Sequence, residues 1–474
     1  MTLKVPAIGD VAVMRLPGGG YGACQVAAAG PILCALAWHS PEPPTLEQLA
    51  TAGPLRLDHH ANPGELALIS VVATEPPPPG WQWIGRLPVP GGVPESTDRN
   101  SGWWYLAHEV AAQRRWDHEL PAEAKQAYAR AATRGRVEVD FGDRPQHLLA
   151  GRTRLDLTGS GEIDAPADGP VRWAGLDDLP RCTSLVWDGP DRGLGAALAA
   201  HPIVDDLTWT DATGEADLSG SGLTSLAING HVELLRLPRG LTDLHLMAGA
   251  RIETVDHRGR LTVTVSDAAP LPAGLDQVDE LRLSGGGTIS AAALPDVESL
   301  WLDFNGPPGR LDDAGALGHL PRLSRLMLTD AYGLDADTLP ELPALAWLTI
   351  HGLRRTTAAA LRARYRRTAV RVLIGGAKND TWLAANLTNP FRDWLDVDVR
   401  EGKAACKAYA SAVRAIDRHD DASLALRTLI DQLNRLDLDT IQREEAGDAF
   451  VALAARAGIP PATADTWFDA WRNF

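Results

Sequence analysis

The sequence predicts a multidomain α+β protein: a small β-rich N-terminal domain, a central solenoid of parallel strands, and a C-terminal helical bundle. Three observations lead there. "LPRLSRLML" at 320–328 returns 22 residues later as "LPALAWLTI" at 342–350. Apolar runs alternate with glycine and proline turns through residues 1–90. Beyond residue 388 the chain becomes alanine-rich, with apolar residues at helical spacing.

A chain of 474 residues exceeds what one ordinary core holds, so several domains are expected. The composition, 45% hydrophobic and 22% charged, is globular, with no apolar run long enough to span a bilayer. The opening MTLKVPAIGD lacks the basic-then-apolar layout of a secretory signal. Cys24, Cys34, Cys182 and Cys406 are scattered without a C-x-x-C pair. That argues against a disulfide framework or zinc ribbon and for a reducing cytoplasm. A formal charge of −16 opposes general nucleic-acid or anionic-membrane binding, because like fields repel.

In order along the chain, residues 1–90 form the β-rich domain. Two apolar runs flank a glycine turn at Gly18–Gly20, which predicts a hairpin. A third strand is expected over Leu66–Val72, then an extended proline linker in "EPPPPG", then a strand in "WQWIGRLPV". Residues 91–150 read as a helical connector, with helices across 103–134 and Pro121 at a first helical position.

The repeat occupies 151–388. Its unit is an apolar residue, two variable ones, then L-x-L, as in Cys182-Leu185-Trp187, Val204-Leu207-Trp209, Leu223-Leu226-Ile228, Val232-Leu235-Leu237, Leu241-Leu244-Leu246, Val278-Leu281-Leu283 and Val297-Leu300-Leu302. "RLDL" at 154–157 opens the array and "VRVLIGG" at 370–376 closes its sheet. Leu226, Leu235 and Leu244 are only nine residues apart, too few for a strand and a helix, so either tight β-arches or only partly genuine repeats are expected there.

This layout resembles the leucine-rich repeat family, whose units of about 20–29 residues each supply one strand and a return segment. The physics is that side chains alternate along a strand, so the L-x-L pair points one way. One unit cannot bury that face alone; stacked units can. The first ninety residues carry a second likeness. The G-D-V opening, the L-P-x-G-x-Y-G hairpin (Leu16, Pro17, Gly19, Tyr21, Gly22) and the closing Trp81, Ile84, Gly85, Pro88 and Val89 resemble a bacterial polymorphic-toxin immunity family, immunity protein 26 type. That resemblance implies a non-enzymatic fold that binds a protein. The alanine- and arginine-rich, acidic style resembles that of high-GC actinobacterial proteins.

Residues 389–474 read as a helical domain of four helices, with Asp421 and Thr440 as N-caps and Gly458 and Pro460 ending the third.

Chemistry-bearing motifs are sparse. There is no Walker loop and no G-x-S-x-G. Asp58, His59 and His60, with His39, lack a spaced third ligand, and Asp396 and Asp398 lack the glycine and glutamate of a calcium loop. No cofactor or metal is therefore expected. What remains is the outward face of the repeat strands: Arg236, His245, Glu280, Arg282, Trp301, Arg325, Met327 and Trp347, a mixture typical of interface hot spots. The expectation is a protein or peptide partner, used in toxin immunity or pathway regulation. If Trp301 and Trp347 face inward, the register is off by one and the patch vanishes. Two other classes stay open. One is an enzyme, or an enzyme-accessory subunit, assembled near the N-terminal domain from His39, His59, His108 and His118. The other is nucleic-acid binding through "RRTTAAALRARYRRTAVR" at 354–371, which holds seven arginines and no acid.

Overall fold

The computed structural model describes residues 6–17, 19–60, 62, 64–71, 81–99, 103–158, 163, 165–166, 168–257, 261–266, 270–275 and 278–474. It is a mixed α/β protein with a small antiparallel sheet, a large parallel one and several C-terminal helices.

The antiparallel sheet has five strands in the spatial order Leu68–Ser70, Ile32–Ser40, Tyr21–Ala28, Asp10–Arg15, Gln82–Arg86. The expected hairpin joins Asp10–Arg15 to Tyr21–Ala28, with Gly19 and Gly20 at φ 100° and 80°. The second apolar run divides into two strands at Gly30, whose φ of 120° turns the chain back. The proline stretch 75–80 lies outside the described residues. Helix Trp103–His118 covers one face of this sheet. Trp103, Leu106, Ala107 and Val110 recur at three and four residues and are buried with Met14, Leu33 and Ile69. Farther on, Trp116 packs against the core of the parallel sheet, so one helix serves two cores. In the next helix, Ala122–Arg130, Pro121 is the cap and not the first helical residue.

The parallel sheet has twelve strands, and along its main path the strands follow chain order from Arg154–Asp156 to Arg371–Gly375. Register is continuous. Leu155, Leu185, Leu207, Leu226, Leu244, Val263, Leu281, Leu300, Leu326, Leu348 and Val372 pair side by side across the whole sheet. A second column two residues later runs from Trp187 and Trp209 through Leu283 to Ile374. Both columns feed one continuous buried cluster.

Two readings change. Leu235 is not a separate repeat unit: it lies in the same strand as Leu226, Ser225–Arg236, and pairs with Ala216 and Val255 on a second arm. The strand bends at Gly230, φ 113°, so its two halves present leucines to the core from different sides. Val263, in Leu261–Val265, is a unit that the leucine pattern passes over, because valine and threonine fill its strand. With these changes the steps from Leu207 to Leu300 are 18 or 19 residues. In the first three of these units the return is itself a strand, Arg251–Asp256 in the third. Helix Arg355–Tyr365 instead occupies the longer step before Arg371–Gly375.

Four helices, Val399–Asp417, Ala422–Leu433, Thr440–Arg456 and Pro461–Trp471, pack around Leu426, Ile430 and Phe450 in a separate core. Asp421 caps the second as expected, but Asp439 caps the third in place of Thr440, in a reciprocal box with Gln442. Arg392 ties this region to the parallel sheet through an ion pair with Asp330.

Leu281→Ala removes a side chain that is 0% exposed and should cost about 2–5 kcal/mol of unfolding free energy. Gly230→Ala should also destabilise, by more than about 1 kcal/mol, since the added Cβ would meet Ala212 O at 2.2 Å at a φ reserved for glycine. Denaturant titration of both variants checks the ladder and the bend separately.

Candidate functional site

The face opposite the leucine columns is set by the same register. Neighbouring strands place Glu280, Ser299, Arg325, Trp347 and Arg371 in one row. His245, Thr264, Arg282, Trp301, Met327 and Thr349 form the next. Arg282 lies over the Trp301 ring at 5.1 Å, and its Nε donates to Glu280 at 2.7 Å. Glu280 thereby fixes the guanidinium on the indole. Burial lowers the pKa of Arg325, while the nearby Glu280 and Glu298 work to raise it. Trp301 and Met327 are half-buried neighbours, an apolar step beside two cations. His245 is occupied by Ser266, 2.8 Å from its Nε2.

Of the eight residues read from the sequence, Glu280 (8% exposed) and Trp347 are buried on this face and Arg236 stands off it. Trp347 keeps the outward register but is only 9% exposed, because Arg371 lies over its ring at 4.4 Å and its Nε1 donates to Thr349. Arg236 belongs to the second arm of its bent strand, between Asp217 and Asp256, and bonds Glu215 at 2.9 Å. It is not on this face.

The histidines of the enzyme reading separate into three places. His39 and His118 lie with ring centroids 4.9 Å apart and planes tilted by 51°; burial, His118 and Arg114 lower the pKa of His39. His108 lies 4.0 Å from Asp243 on the parallel sheet. His59 and His60 enter a buried chain of contacts. His59 Nε2 is 3.1 Å from Glu109 Oε2, the two Nδ1 atoms are 3.0 Å apart, and His60 Nε2 is 3.4 Å from Asp205 Oδ2. Gln113 holds the loop, its Oε1 accepting from the backbone N–H groups of Asp58 and His59 at 2.9 and 3.2 Å. Here two histidines and two carboxylates meet, the groups of an acid–base catalyst. They are closed over, however: His59 is 7% exposed, and Trp116 and Tyr128 wall His60 at 5.2 and 6.0 Å.

Sequence reasoning missed Glu109, Gln113 and Asp205. Gln113 left a trace, since it occupies the next position of the Trp103–Val110 apolar stripe and is 4% exposed. Glu109 and Asp205 left none.

The remaining motifs have structural employment. Asp396 pairs with Lys378 at 2.7 Å, and Asp398 caps helix Val399–Asp417. No group of three His, Cys, Asp or Glu suited to a metal occurs among the described residues, and none of their helices is long and apolar enough to cross a membrane. In the arginine-rich stretch, Arg354 pairs with Asp380, while Arg362 and Arg364 donate to the carbonyls of Ile374 and Leu339. Arg355, Arg366 and Arg367 are exposed.

Compared with protein-family models, with curated proteins and with solved structures, the chain matches none.

All four cysteines are free and buried. Burial pushes the thiols of Cys34 and Cys182 up to about 12 and that of Cys406 to about 11, and raises Cys24 as well. Each thiolate is therefore scarce at pH 8. A disulfide reagent at pH 8 should titrate almost no thiol in the native protein and four after denaturation; prompt native labelling would contradict this burial.

Proposed function

We propose that the chain is a non-enzymatic scaffold of the leucine-rich repeat solenoid type that binds a protein or peptide on the concave face of its parallel sheet. The observation that carries the reading is the contiguous group Arg282, Trp301, Arg325 and Met327. It sets an aromatic ring and a thioether between two guanidinium groups, on the face opposite the leucine columns. Such a surface suits a segment with a carboxylate and an apolar side chain: the rings and methyls give buried area, the arginines give directional bonds. Glu280 orients Arg282 for this without a conformational change.

The N-terminal unit, with its likeness to the immunity family, adds a second protein-binding element beside this face. The two uses proposed for such a surface are toxin neutralisation and regulation of a specialised pathway, in a bacterial cytoplasm. The burial of His59, with His60 half-buried behind Trp116 and Tyr128, weighs against a catalytic role for them. The engagement of Arg354, Arg362, Arg364 and Arg371 with carbonyls, Asp380 or Trp347 weighs against nucleic-acid docking through 354–371.

Trp301→Ala with Met327→Ala should weaken partner capture by at least tenfold, the order expected for a hot-spot pair, with little change in unfolding temperature. Matched pull-downs, with isothermal titration of any protein recovered, measure this. Equal affinity of wild type and double variant would remove the proposal.

A further inference from the structure

The C-terminal helices leave a groove between two of their number, Val399–Asp417 and Ala422–Leu433. It holds about 1310 Å³ of space open to solvent. Its floor is apolar, since Ala408, Ala412, Ala425 and Leu429 line it and are buried. Small side chains create the groove. Ala404, Ala408 and Ser411 leave room along the first helix where longer side chains would fill it.

The two ends of the groove differ. The helices pack side by side and are joined by the short turn 418–421, so they run antiparallel. Asp420, Asp421 and Leu424 therefore gather at one end, and Ala404 and Lys407 at the other. The first end carries a knob, because Leu424 is 63% exposed, together with two carboxylates. The second carries a hollow beside Ala404 and Ala408, together with an exposed ammonium group.

We propose that this groove is a self-association surface, which takes the same groove of a second copy of the chain across a two-fold axis near Ala412 and Thr428.

A two-fold interface brings residue i of one copy to residue j of the other, and j to i, so its surface must complement itself. This groove does. Rotation about that axis carries Leu424 of each copy to the hollow beside Ala408 of the other. The same rotation carries each Lys407 to the Asp420–Asp421 end. The lengths agree as well. At about 1.5 Å of rise per residue, Lys407 stands about 8 Å along its helix from Ala412, and Asp421 about 10 Å from Thr428 in the opposite direction. A lysine side chain spans the difference.

The carboxylates have capacity for this contact. Asp420 meets Arg418 through Oδ2 alone, at 3.0 Å, and Asp421 uses Oδ1 to accept the Leu424 N–H at 3.1 Å. The other oxygen of each remains for a cation. A foreign helix can also lie in an apolar groove, but Leu424 stands in the way of a smooth one. It suits a partner that presents a matching hollow, and a second copy presents one at the right end.

Sedimentation velocity of the full chain over roughly 1–200 µM tests this, the span in which a small interface dissociates. The wild type should pass from monomer to dimer as concentration rises. Leu424→Asp should weaken association at least tenfold without lowering the unfolding temperature, because the side chain it replaces is exposed. Lys407→Glu and Asp420→Lys, each alone, set like charges together at both symmetry-related contacts and should also weaken the dimer. Mixed in equal amounts, these two variants should associate again, because each contact of the mixed dimer holds opposite charges. A wild type that stays monomeric throughout overturns the proposal and leaves the groove to another protein. A dimer that Leu424→Asp leaves intact uses another face and overturns it too. A mixture no more associated than either variant alone rules out the two-fold pairing.

Discussion

The lateral pairing of one apolar side chain per strand, from Leu155 to Val372, is the constraint on which the rest of the structure depends. Each member from Leu155 to Leu348 is at most 1% exposed. Parallel pairing holds these side chains in line, and the gain from excluding water is shared by neighbours, so no single strand is stable by itself. The columns also settle the opposite face. Once leucines occupy alternate positions, the residues between them must stand in rows on the other side. Arg282, Trp301 and Met327 are adjacent for that reason alone.

The same economy explains the variation in unit length. Where the chain returns through a strand, 18 or 19 residues complete a unit, and Gly230 supplies the bend that a side chain would block. Where a helix such as Arg355–Tyr365 intervenes, the unit lengthens. Helix Trp103–His118 carries side chains of two cores, and the pair Arg392–Asp330 joins the terminal helices to the sheet. A half-buried pair of this kind contributes modestly to stability, but it is directional and fixes where the units meet.

Polar groups at the junction obey a stricter rule than those on the open face. On the face, the exposed ends of Arg282 and Trp301 can shift with little cost because water replaces any lost contact, while Glu280, 8% exposed, cannot. At the junction, Gln113, His59 and Glu109 are enclosed, and an unmet donor or acceptor costs about 1–3 kcal/mol.

The sequence by itself determined the strands, their parallel stacking and the inward direction of the leucines, since a two-residue alternation repeated at near-constant intervals admits few other solutions. It also located the hairpin at Gly18–Gly20 and the four terminal helices, whose signals are local. Tertiary structure alone decided that Leu235 lies on a second arm of Leu226's strand and that Val263 forms a unit. Pattern records spacing, and neither bend direction nor partner strand is encoded in spacing. It alone covered Trp347 with Arg371, which stands 24 residues away. It alone brought Asp205 to His60, across 145 residues, because contacts between separately folded layers arise from how cores pack and leave no periodic trace.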